Sequence, residues 1–159
     1  MSICDLSVHE RRAFFFSESN CETSWFVLEG ICFRIYTGNL ARNWFDARTY
    51  CKTKGGDLAV VDSETKRQVI ASRLDNNNSL YPNLAVYRVF IGVLRLAMLD
   101  WLGGRNISSH YWHRGQPDPL TPLDCAVLQR WSPVGWKLVQ AQCYYEQGFL
   151  CQTRESKNF

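Results

Sequence analysis

The sequence predicts a single α+β domain held together by disulfides. Three observations carry that expectation. Short β-type apolar runs bracket two segments of helical period, in the order β, α, β, α, then β with long loops. Seven cysteines occur with no pair at the two-residue spacing of a zinc knuckle or thioredoxin motif, which points to disulfides and an oxidising compartment. The chain has 159 residues, 46% of them apolar and 21% charged, which suits one domain with a buried core rather than a disordered chain.

Residues 1–20 read as an N-terminal arm. They mix charge (His9, Glu10, Arg11, Arg12) with a Phe14–Phe16 run, show no clear period, and contain Cys4. Trp25–Leu28 and Ile31–Tyr36 are β-type runs, and Glu29-Gly30 between them is a hairpin signal. Leu40, Trp44, Ala47 and Cys51 share one helix face, with Asn39 or Thr37 as the cap and Gly55-Gly56 as the stop. Leu58–Val61 reads as a strand. Asp62 or Ser63 then caps a second helix reaching about Leu74, with Val69, Ile70 and Leu74 inward and Asp75–Ser79 as a loop. Val89–Val93 reads as a buried strand. Residues 100–124 are rich in Gly, Pro, Asn, Ser and His, and a long irregular segment of this kind inside a compact domain is usually functional. Cys125–Leu128 and Gly148–Cys151 supply the closing strands.

Several function classes are excluded. The net charge is only +3, and the 13 arginines among 18 basic residues are scattered, so no basic patch favours nucleic acid. No apolar run approaches the roughly 20 residues of a membrane span, and Ala13–Phe16 is too short for a signal-peptide core. The chain is therefore expected to be a mature extracellular form, the cysteines arguing against the cytosol. Asp46, Asp57 and Glu64 show no nucleophile–base spacing, and no phosphate loop appears, so no enzyme is expected. Asn77-Asn78-Ser79 and Asn106-Ile107-Ser108 are glycosylation sequons. Six cysteines can pair and one is left over, but spacing alone does not choose the pairs.

Taken together, the motifs resemble one family. Cys21-x3-Trp25-x6-Cys32-Phe33 resembles the N-terminal hairpin of long-form C-type lectin-like domains. Trp44-x2-Ala47-x3-Cys51 followed by Gly55–Ala59 is similar to that family's first helix and next strand. Phe90–Val93 stands where the family has Trp-Ile-Gly-Leu, and Trp112–Asp118 resembles its long-loop sugar motif. The resemblance covers about residues 21–152 and leaves 153–159 as a tail. It implies the double-loop fold, with two helices flanking small antiparallel sheets. It also implies three disulfides, Cys21–Cys32, Cys51–Cys151 and Cys125–Cys143. Cys4 is then the odd cysteine, a candidate for linking a homo- or heterodimer.

In relatives, sugar binding usually runs through Ca²⁺, and a cis-proline between two ligands aims both at the ion. Gln116-Pro117-Asp118 matches the Gln-Pro-Asp form that goes with galactose-type sugars. The rest of the ligand set departs from the pattern. Leu123 stands where the family has Glu, and Leu138, Val139 and Gln140 stand where it has Trp-Asn-Asp. No Asp or Glu occurs between Trp131 and Gln142. Only Gln116 and Asp118 remain, too few for a shell of about six to eight oxygens, so no metal or other cofactor is expected. Sugar recognition is then expected from Gln116 and Asp118, with ring stacking by Trp131, Trp136, Tyr111 or His113. Arg114 or Lys137 can reach an anionic sugar or an N-acetyl carbonyl. A single site of this kind has an affinity of about millimolar, and multivalency adds about 10²–10⁴-fold. The expected partners are glycans. The alternative is a calcium-independent module on the same fold that binds a protein, as do snake-venom-type heterodimers and immune-cell receptors in the family.

Overall fold

The computed structural model describes residues 20–80, 87–95 and 98–155, with no side-chain detail at 78–80. Cys4, the Phe14–Phe16 run and the last four residues lie outside the described residues. The strands are β1 (Phe26–Leu28), β2 (Ile31–Tyr36), β3 (Asp57–Leu58), β4 (Arg88–Arg95), β5 (Leu99–Trp101), β6 (Arg105–Asn106), β7 (Cys125–Trp131), β8 (Gly135–Ala141) and β9 (Gly148–Arg154). The helices are α1 (Trp44–Thr53) and α2 (Glu64–Leu80).

The strand order is β1-β2-β9-β4-β5-β6, with β3 on β9 and the β7–β8 hairpin joined through β7 to β4. One pairing was not expected: β4 and β9 run parallel. β2 and β9 pair antiparallel from Ile31↔Arg154 to Tyr36↔Phe149, so the two ends of the domain lie side by side. β9 thus continues through Arg154, past the expected domain edge at 152. The Glu29-Gly30 turn has both residues at positive φ (53° and 70°), which is how a two-residue hairpin loop matches the twist of its strands. Gly92 sits where a Cβ would lie 2.9 Å from the Leu58 carbonyl oxygen; only glycine lets β4 come this close to the chain entering the core.

The helix boundaries correct two expectations. The first helix begins at Trp44, because Gly38–Leu40 forms a separate 3₁₀ turn and Ala41 is extended. Asn43 is the cap, accepting from the Asp46 N–H at 3.0 Å; Asn39 and Thr37 are not. Ser63 caps α2, accepting from the Lys66 N–H at 3.1 Å. That helix runs on through the Asp75–Ser79 segment expected as a loop. Tertiary contacts account for the extension at Asp75, whose Oδ1 accepts from Trp136 Nε1 at 3.0 Å and from Arg130 Nε at 2.9 Å. Ile70 and Leu74 face inward as expected, but Lys66 is buried where Val69 is only partly so. Asp62 lies 2.6 Å from Lys66 Nζ and neutralises it.

Two packed clusters fill the interior. One gathers Phe33, Ile70, Leu74, Ile91, Trp101, Trp112, Trp136 and Leu138. The other surrounds the disulfides with Trp44, Phe90, Val127 and Phe149. Trp44 Nε1 donates to the Ile91 carbonyl at 2.9 Å, fixing α1 to β4. The three bridges are Cys21–Cys32, Cys51–Cys151 and Cys125–Cys143.

Arg67 ties α2 to β8 by donating to the Trp136 carbonyl at 3.1 Å, and its guanidinium also holds Glu64. That hydrogen bond lowers the Glu64 carboxyl from an ordinary 4.5 to about 2. A carboxyl depressed on folding stabilises the native state above its unfolded value, and that contribution is lost as pH falls from about 4.5 towards 2. Glu64 is half exposed, so the expected effect is under about 1 kcal/mol. Urea midpoints measured between pH 5 and pH 2 should fall more steeply for wild type than for Glu64→Gln; parallel curves would refute the linkage.

Candidate functional site

The long segment between β6 and β7 is laid against β8 one contact at a time. Trp112 bridges Leu138 in parallel register, the His113 N–H donates to the Leu138 carbonyl at 2.9 Å, and the Gln116 N–H donates back to the His113 carbonyl at 2.9 Å. The Gln116–Pro117 peptide is cis. Two residues farther along β8, Gln140 meets the loop again. Its N–H donates to Gln116 Oε1 at 3.0 Å, and its own Oε1 accepts from the Asp118 N–H at 2.5 Å. Its Nε2 donates to the Asp118 carbonyl at 3.2 Å and reaches the Leu123 carbonyl at 3.5 Å.

Gln140 is only 3% exposed. A buried amide is tolerated when its donors and acceptors are met, and here the loop backbone meets them. Sequence reasoning registered Gln140 only as a lost ion ligand and missed this role. A signal was present: along β8 the inward positions run Trp136, Leu138, Gln140, so a polar residue stands where alternation calls for an apolar one.

The Asp118 carboxylate lies at the surface of this latch. Oδ1 accepts from the Leu120 N–H at 2.9 Å and Oδ2 from the Thr121 hydroxyl at 2.7 Å. The Thr121 hydroxyl, with the Leu120 N–H, holds the carboxyl below its usual range. Asp118 is thus an oriented anion with unused lone pairs. Nearer the turn of the β7–β8 hairpin, where Trp131 stands opposite Gly135, the His113 and Trp131 rings stack at 4.2 Å with an interplanar angle of 19°. His113 and Gln116 contact β8 at Leu138 and Gln140, two anchor points about 7 Å apart along the strand. Arg114 is exposed next to them.

Two expected ring candidates are corrected. Trp136 is 1% exposed, its ring packed in the core and its Nε1 given to Asp75. Tyr111 is likewise buried. Neither presents a face to a ligand. Lys137 is partly committed, donating to the His110 carbonyl at 2.9 Å.

The donor set does not fit a calcium ion. Gln116 Oε1 already accepts an N–H, the Gln140 amide binds the loop backbone, and Leu123, Leu138 and Val139 bring no side-chain oxygen. Hard cations need a cage of oxygens with several carboxylates. Among the described residues, no group of three or more His, Cys, Asp or Glu is placed to hold a metal.

A separate cleft of about 560 Å³ lies beside the loop, lined by Arg95, Asp100, Asn106, Trp112, Pro117 and Pro119 among others. Pro117 and Pro119 face it, whereas Gln116 and Asp118 do not line it.

Comparison with known proteins follows the same outline. The family model described as the lectin C-type domain matches residues 40–153. The CD209 antigen of Symphalangus syndactylus is 24% identical over 135 residues; the match takes in 83% of this chain but 32% of that protein, so the chain spans about a third of its length. The galactose-specific lectin nattectin of Thalassophryne nattereri is 25% identical over 139 residues, covering 84% of this chain and 80% of that protein. Among solved structures, the SPL-1–GlcNAc complex superposes with a TM-score of 0.68 at 22% identity, over 84% of this chain and 94% of the other.

Proposed function

The chain belongs to the C-type lectin domain family, and from that membership we propose that it is an extracellular carbohydrate-binding lectin with weak or no dependence on calcium. Its ligands are galactose-type or N-acetylhexosamine sugars. The observation that carries this reading is the Gln140 latch, which holds Gln116 and Asp118 in place without an ion, on the same loop that stacks His113 on Trp131. Asp118 accepts hydrogen bonds from sugar hydroxyls, Gln116 Nε2 donates, and the ring pair covers the apolar face of the sugar. Arg114 lies at the rim, within the reach of an acidic or N-acetyl substituent. Nattectin's galactose specificity and the GlcNAc bound to SPL-1 agree with the sugar class. Binding is non-enzymatic. Affinity per site is weak, and avidity comes from pairing of chains through Cys4.

The test is an array of immobilised glycans probed once in millimolar Ca²⁺ and once in excess EDTA. Binding to galactose-type or N-acetyl glycans is expected in both buffers. A charge-assisted hydrogen bond contributes about 1.5–3 kcal/mol, so Asp118→Ala should weaken binding by on the order of ten- to a hundredfold. Loss of binding in EDTA would overturn the calcium-independent reading.

One observation favours a second reading, a module that binds a protein. Phe45, Tyr144 and Tyr145 are 42%, 75% and 65% exposed, and the Phe45 and Tyr144 rings lie 5.6 Å apart. Clustered exposed aromatics are typical of interfaces. A folded protein that binds no glycan in either buffer would favour this reading over the first.

A further inference from the structure

We propose that Asn106 carries an N-linked glycan, and that this glycan covers the cleft beside the long loop. The inference rests on the extracellular reading, because the modification is made on the secretory route. Its chemistry is a group transfer from a lipid-linked oligosaccharide pyrophosphate. The bond between the sugar C1 and the pyrophosphate oxygen breaks, a bond from C1 to Asn106 Nδ2 forms, the amide loses one proton, and the lipid pyrophosphate leaves.

The two sequons differ in what the fold does with them. Asn77-Asn78-Ser79 lies inside α2, Glu64–Leu80, where the backbone is helical and committed to its own hydrogen bonds. Asn106-Ile107-Ser108 starts at the end of β6, a two-residue strand at the outer edge of the sheet, and Asn106 is exposed. Glycan acceptors are surface sites on open backbone, and only the second sequon meets that requirement. Its neighbour Arg105 is anchored through Nη1 to Asp62 Oδ2 at 2.5 Å. Successive strand residues point to opposite faces, so with Arg105 turned to the start of α2, Asn106 is turned the other way, onto the cleft that it lines.

The cleft suits the base of a glycan. Its volume of about 560 Å³ is within the range of small-ligand pockets. Leu99, Ile107, Trp112, Pro117 and Pro119 give it apolar walls, against which the C–H face of a sugar ring can pack. Asp100, directly opposite Asn106 in the β5–β6 register, adds an acceptor for sugar hydroxyls. Met98, 60% exposed at the same cleft, would be covered by the attached sugar.

The experiment uses the full chain behind a cleavable leader in a eukaryotic secretory host, with medium and cell lysate both read. Digestion with peptide-N-glycosidase in ¹⁸O-water should mark Asn106 in most molecules and leave Asn77 unmarked. Asn106→Gln should abolish the mobility shift, and Asn77→Gln should leave it unchanged. Peroxide oxidation of Met98, followed by mass spectrometry on folded protein, should run several-fold faster once the glycan is removed. An unmodified Asn106 in chains recovered from the medium overturns the proposal; because the added leader carries the chain along the secretory route whatever its natural location, that failure is distinct from a failure of the extracellular reading. A modified Asn106 with an unchanged Met98 rate overturns the covering of the cleft.

Discussion

Replacing Cys51 and Cys151 together by alanine is expected to cost more stability than removing either other bridge. The pair closes a loop with a sequence separation of 100, and both cysteines are fully buried between α1 and β9. Cross-linking a loop of that length is worth about 4.7 kcal/mol in the chain-entropy picture, and removing native disulfides usually costs about 2–5 kcal/mol. For a domain of this size each kcal/mol moves Tm by about 2–4 °C, so a fall on the order of 10–15 °C is expected. Cys21–Cys32 spans a separation of 11 and Cys125–Cys143 one of 18, which puts each near about 3 kcal/mol on the same scale. Thermal unfolding followed by circular dichroism, on the three double variants side by side, gives the ranking. Equal losses in all three would mean that local packing rather than loop closure sets the cost.

Trp136→Ala is expected to destabilise by about 3–5 kcal/mol, the usual cost of emptying a buried tryptophan site. The ring is 1% exposed, and its Nε1 is a donor to Asp75 in α2. The substitution therefore opens a cavity and also removes a link between helix and sheet. Trp136→Phe retains much of the volume and should lose less. Urea denaturation measures both, and glycan binding by the folded fraction of Trp136→Phe should match wild type. A variant of normal stability that no longer bound sugar would put this ring back in the site.

The contrast between Trp131 and Trp136 shows where sequence reasoning stops. Both belong to the β7–β8 hairpin and both were candidates for stacking. In the structure one meets His113 and the other goes to the core. The choice depends on strand register, Arg130↔Trp136 and Trp131↔Gly135, and a shift of one residue would exchange the two faces. β8 itself was not foreseen, because Gln140 interrupts its apolar alternation. The disulfides, through the family resemblance, both helices and the strands β1, β2, β4, β7 and β9 were legible, since cysteines and periodic apolar residues are local or family-wide marks; β5 and β6 lie where the sequence reads as an irregular segment, and the Leu58–Val61 run is strand only at Leu58. Helix ends were less so: Asp75 keeps α2 going through a run of asparagines by contacts with β7 and β8. Asp118 was legible as a chemical group, but its engagement by Leu120 and Thr121 needed the folded loop.

Gln140 also bears on how such a site is controlled. A loop fastened by a dissociable ion opens when the ion is withdrawn, so cargo can be dropped in any compartment poor in that ion. Here the fastener is part of the polypeptide: it is present at every ion concentration, and an amide does not titrate in the physiological range. On the calcium-independent reading proposed above, release has no ionic step, and cargo leaves by dilution or by competition from free sugar.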